Sequence, residues 1–97
     1  MMAQRDSLLG AVAQELQLPE DELLNEGLRV LLERQLGRVK AQILELCGRY
    51  GVSSAEAMEA RYRDGTLDEA SSWRDLQRLD HLEYKRDRLL RLLEALE

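Results

Sequence analysis

Leu32, Leu36, Val39, Ile43, Leu46 and Tyr50 follow one another at spacings of 4, 3, 4, 3, 4. No other feature limits the fold of this chain so tightly. That rhythm suits a helix carrying a heptad-like apolar seam and suits no strand, whose side chains alternate with a period of two. Leu24 and Leu28 continue the seam upstream, and Leu23, Val30, Leu31, Leu44 and Cys47 widen it. A stripe that broad predicts contacts on more than one side of the helix. Gly27 and Gly37 fall inside the same helix, where each costs about 1 kcal/mol relative to Ala. They read either as tolerated substitutions or as positions for close backbone approach or a bend.

The helix is expected over residues 19–50. Pro19 suits a first-turn position, and Glu20, Asp21 and Glu22 complement the positive end of the helix dipole. Gly51 suits a left-handed cap at the far end. Upstream, Leu8, Leu9, Val12, Ala13 and Leu16 recur at helical spacing and predict a short helix within 1–18, stopped by Leu18-Pro19. Ser53 and Glu56 have capping-box spacing and open a short helix over 53–64, which Asp64-Gly65 ends. Trp73, Leu76, Leu79, Leu82, Leu89, Leu90, Leu93 and Leu96 mark the apolar face of a last helix over 72–96, with Ser72 and Asp75 as its expected cap. Arg86 interrupts that face. Its stem is expected along the seam with the guanidinium reaching a carboxylate. No alternating apolar run of useful length is present, so strands are not expected.

The expected architecture is therefore all-α: a long antiparallel helical hairpin in one domain spanning 1–97, with a short helix at its tip and a short N-terminal helix. At 97 residues the chain builds one core at most. A two-helix hairpin cannot cover stripes this wide, so an oligomer or a foreign partner is expected, with Leu24, Leu28, Leu32, Leu36, Val39, Ile43 and Leu46 in a shared core.

Charge narrows the partners. Fourteen Lys and Arg against nineteen Asp and Glu give a net charge of -5, the wrong sign for general nucleic-acid or anionic-membrane binding. The acids concentrate early: residues 1–60 carry ten acids and six bases, while 61–97 carry nine and eight. Residues 1–26 hold Arg5 as their one base, which argues against an N-terminal DNA-binding arm. No apolar run approaches the ~20 residues of a membrane span, and no secretory signal pattern is visible. A soluble cytoplasmic protein is expected.

Catalytic constellations are sparse, and no enzyme activity, metal or cofactor is expected. His81 is the one histidine, and with one cysteine the chain has neither an internal disulfide nor a cysteine-based zinc site. Cys47, on the apolar side of its helix, reads as a buried structural thiol. Asp80, Glu83 and Tyr84 near His81 read as a solvated helix surface. Arg74 precedes His81 by seven positions, about two helical turns, so the two share a face. That pair resembles the Arg-x(4–6)-His motif of HEPN ribonucleases. The resemblance implies His81 as general base and Arg74 as phosphate anchor, although the composition supplies no basic groove for RNA. Met58, Tyr62 and Trp73 cluster toward the tip. With Tyr84 they are the candidate partner contacts, since Tyr and Trp are favoured interface anchors; the plainer reading is that the tip residues close the hairpin.

Beyond these, Leu18-Pro19-Glu20-Asp21-Glu22-Leu23-Leu24-Asn25-Glu26-Gly27-Leu28-Arg29 resembles the "PEELLxEGLR" opening of small bacterial antitoxin-type proteins. Leu31–Leu36, Arg49–Ser53, Tyr62–Leu67 and Trp73–Tyr84 are similar to small helical proteins of cyanobacteria and related prokaryotes that are encoded beside a toxin-like protein. The resemblance covers about Leu18 to Leu96. It implies a non-catalytic inhibitor that occludes a small, basic cognate toxin. The two other readings are a structural coiled-coil homo-oligomer or adaptor, and the HEPN-like nuclease.

Overall fold

The computed structural model describes residues 2–96, with side chains placed from Ser7 to Leu96. Four helices follow in order: α1 (Met2–Leu16), α2 (Glu20–Tyr50), α3 (Ala55–Arg63) and α4 (Glu69–Ala95). There is no strand among the described residues. α2 and α4 form the antiparallel hairpin, α3 closes its tip against α4, and α1 packs against α2. The all-α hairpin with its tip helix is thus the observed fold.

Its core lies along the predicted seam. Leu36, Val39, Ile43, Leu46 and Cys47 of α2 cluster with Ala55 and Met58 of α3 and Leu79, Leu82 and Leu89 of α4, and Leu32, Tyr50, Leu76 and Leu93 pack on its edges. Leu24 and Leu28 are not in it. They stand 52% and 49% exposed, because packing between the long helices reaches only to Leu32 of α2 and Leu93 of α4, while α2 begins at Glu20. The seam runs on, but the helix that covers it does not.

The helix ends differ from expectation at three places, each for a local reason. Pro19 is the N-cap of α2 and not its first residue: its backbone is extended and its carbonyl accepts the Leu23 N–H, 3.0 Å. Ser54, not Ser53, caps α3. Its Oγ accepts the Ala57 N–H at 3.0 Å, while the Ala55 N–H donates to Glu83 Oε2 of α4 at 3.1 Å. A carboxylate from another helix thereby satisfies a first-turn N–H, in place of the capping box expected from Ser53 and Glu56. α4 starts three residues before Ser72, after Asp68. Ser72 is buried inside the first turn and donates back to the Asp68 carbonyl, 2.6 Å, so Tyr62 Oη donates to Ser72 Oγ, 2.7 Å. Gly51 ends α2 in the left-handed conformation as expected, and its N–H reaches the Cys47 carbonyl.

Two fastenings hold the tip. Asp75 of α4 accepts from Tyr50 Oη and from Arg49 Nη1 (3.1 Å), both at the end of α2. Arg61 of α3 donates to the Tyr50 carbonyl, to Thr66 Oγ1 (3.2 Å) and to the Thr66 carbonyl (3.3 Å), joining the end of α2 to the α3–α4 loop. Arg86 donates to Asp87 at 3.0 Å, so its guanidinium does find a carboxylate.

The corner between α1 and α2 carries one strained residue. Gln17 has φ 57°, and Leu18 N–H returns to the Ala13 carbonyl at 2.9 Å, the hydrogen bond of a left-handed helix cap. Glycine adopts that conformation without a Cβ penalty. Gln17→Gly is expected to stabilise the corner locally by about 0.5–1 kcal/mol, read as stronger hydrogen-exchange protection of the α1 amides. Unchanged or weaker protection would show that the corner is fixed by other contacts.

Candidate partner-binding surfaces

The molecule is long for its mass. Its extents are 61 × 26 × 18 Å and its radius of gyration is 19.9 Å, against roughly 13 Å for a compact domain of this size. Its accessible surface is 7341 Å², where a compact monomer of this mass would show roughly 5,700 Å². The surplus of about 1,600 Å² is comparable to two standard interface footprints of ~800 Å² each.

Exposed large apolar side chains are concentrated where α2 outruns α4. Leu8, Val12 and Leu16 of α1 and Leu24, Leu28 and Leu31 of α2 are all exposed there. Helical spacing explains the set. Leu24 and Leu28 share the face that Leu36 and Val39 bury further along. Residues 7–28 contain Glu15, Glu20, Asp21, Glu22 and Glu26 and no base, so this arm is both apolar and acidic. A cleft of about 460 Å³ opens on it between Leu18, Glu22, Asn25 and Glu26.

The predicted contacts do not form one patch. Met58 is completely buried (0% exposed) and belongs to the hairpin core, so it has no surface to offer a partner; the apolar spacing that singled it out is core spacing. Tyr62 is half-buried and bound to Ser72. It lines a shallow cleft with Glu59, Arg63, Glu69 and Leu76. Trp73 is exposed beside it, with the Arg74 guanidinium 5.8 Å from its ring centroid. Tyr84 is exposed further along α4, where Arg88 donates to its hydroxyl at 3.2 Å and pulls the phenol below its ordinary pKa. Arg74 and His81 are both exposed on α4, and the clefts named in this section are lined by other residues.

Cys47 is buried in the core. Burial first, then the charge of Glu83, pushes its thiol above the ordinary value, against a smaller opposing pull from Arg86. That is the reverse of what an activated nucleophile needs. Among the described residues no group of three or more His, Cys, Asp and Glu could hold a metal ion, and no helix is long and apolar enough to cross a membrane. A cleft of about 200 Å³ between the long helices is lined by Gln42, Glu45, Leu46, Arg49, Asp75 and Arg78. Its two acids and two bases balance, and Arg49 already pairs with Asp75 and with Glu45 (3.8 Å). It has no excess charge with which to select an ionic ligand.

Sequence reasoning placed Leu24 and Leu28 in a core shared with a partner and saw the acidic bias of the first residues, but it did not join the two into one arm. The visible signal was length: the apolar face of α2 has more turns than that of α4. It also missed the clamp of Tyr50, Asp75 and Arg49, for which no spacing rule exists.

No curated protein and no solved structure matches the chain. A family model described as "Uncharacterized protein MJ0235 family" matches residues 1–97, and the chain belongs to that family.

Proposed function

We propose that this chain is a non-catalytic, antitoxin-type partner protein, whose acidic apolar arm docks on a small basic toxin and occludes it. The observation that carries the reading is the arm itself. Leu8, Leu16, Leu24 and Leu28 are each exposed, and residues 7–28 carry five acids and no base, with Arg29 next in the chain. Apolar anchors give a docked helix its affinity, and an acidic rim speeds encounter with a basic partner and discriminates against acidic ones. The resemblance of Leu18–Arg29 to an antitoxin opening falls on this same arm.

The test is co-expression of the full chain with the product of the adjacent reading frame. The expected result is rescue of growth and a stoichiometric complex. Leu24→Glu with Leu28→Glu is expected to weaken that complex at least ~100-fold, while the hairpin keeps its circular-dichroism melt because both side chains lie outside its core. An adjacent product that neither arrests growth nor binds sinks the reading. RNA cleavage that disappears in His81→Ala would replace it with the nuclease reading.

A further inference from the structure

The outer face of α2 carries a second heptad-spaced row, of small and apolar residues around a central Arg34, and all of it is exposed. Gly27, Val30, Arg34, Gly37, Ala41, Leu44 and Gly48 follow at spacings of 3, 4, 3, 4, 3, 4, and all seven are exposed. At 100° per residue they lie roughly 170° around the helix from the buried seam of Leu36, Val39, Ile43 and Leu46. Leu44 is 73% exposed and Val30 47%. A Cβ built at Gly27, Gly37 or Gly48 would meet nothing within 4 Å. The chain therefore tolerates three helix-weakening glycines on one face without any close approach inside the hairpin that requires them.

We infer that this face pairs with the same face of a second copy, α2 against α2 in antiparallel register. Size and charge choose both the occupant and the direction. In a two-fold pairing of a positions with d positions, Leu44 meets Gly27 of the second copy, Val30 meets Ala41 and Arg34 meets Gly37. Each large side chain falls opposite a small one, and each contact occurs twice. The flanking charges agree: Glu33 lies opposite Lys40 of the second copy, and both residues are exposed. A parallel pairing would instead set Leu44 against Leu44 and glycine against glycine. The surplus surface is large enough for this face as well as the arm. The inference goes beyond the partner reading and does not depend on it, because the arm and the outer face use different residues.

The experiment is sedimentation equilibrium on the full chain between ~1 and ~200 μM, with circular dichroism as a folding control. A species of twice the 11.2 kDa chain mass is expected. Glu33→Lys alone and Lys40→Glu alone each replace two attractive pairs by two repulsive ones, so each is expected to weaken self-association about tenfold. The double variant Glu33→Lys/Lys40→Glu is expected to restore it, and Leu44→Glu to abolish it with the helix content unchanged. A monomer throughout the range overturns the inference. So does a dimer that is indifferent to Leu44→Glu, or one that the double charge swap fails to restore. Binding of a toxin partner is read separately and is untouched by these outcomes.

Discussion

Leu79→Ala is expected to destabilise the hairpin by about 2–5 kcal/mol. Leu79 is completely buried (0% exposed) in the cluster that joins all three helices of the hairpin. Truncation removes transferred apolar surface and leaves a cavity that a well-packed interior closes only partly. A domain of this size has roughly 5–15 kcal/mol in total, so one side chain carries a large share of it. Urea denaturation monitored by helical ellipticity measures the loss directly. Leu24→Ala, made on the exposed continuation of the seam, is the comparison: a surface change of that kind shifts stability by about 0.5 kcal/mol or less. Equal losses at the two positions would mean that the arm is covered in the isolated chain.

The second large effect is electrostatic and depends on pH. Asp75 accepts from Tyr50 Oη and Arg49 Nη1, and those bonds, the Tyr50 bond first, hold its carboxyl below the usual value. The same bond to Asp75 pushes the Tyr50 phenol up. A carboxyl depressed by folding contributes stability above its unfolded pKa of about 3.9, and that contribution is lost as pH falls through the lower folded value. For the raised phenol the sense is opposite: the contribution is present below about 10 and lost as pH rises through the folded value. The clamp is therefore strongest between these limits. Asp75→Ala is expected to cost about 1–2 kcal/mol at pH 7, the range for a partly exposed hydrogen bond to a charged group. The deficit should shrink once the pH is low enough to protonate Asp75 in the folded chain. Chemical denaturation of both proteins across the acid range checks it. A deficit that stays constant from pH 7 down to pH 2 would show that packing, not charge, is lost.

The same contrast separates what was legible beforehand. The seam from Leu32 to Tyr50 specified α2 and its buried face, since a 4, 3 rhythm leaves a helix no other way to hide those side chains. Gly51 marked the end of α2 because only an unhindered residue turns left-handed there at low cost. The start of α4 was misjudged because Ser72 looks like a cap in isolation. Its hydroxyl is in fact satisfied by Asp68 and Tyr62, and Tyr62 arrives from another helix. Met58 was misplaced for a related reason: a large apolar residue at a tip reads equally as anchor or as core, and only the position of α4 buries it.

By itself, the sequence determined the helices, the direction of the hairpin and the acidic bias of the first 28 residues, all of which follow from local spacing and charge. Tertiary structure decided how far α4 reaches. That one length turns Leu36 into core and Leu24 into surface, although both sit on the same stripe. It also decided that Glu83 would cap α3 and Asp75 would clamp α2, because hydrogen bonds between residues 25 or more positions apart depend on where helices meet and leave no periodicity behind.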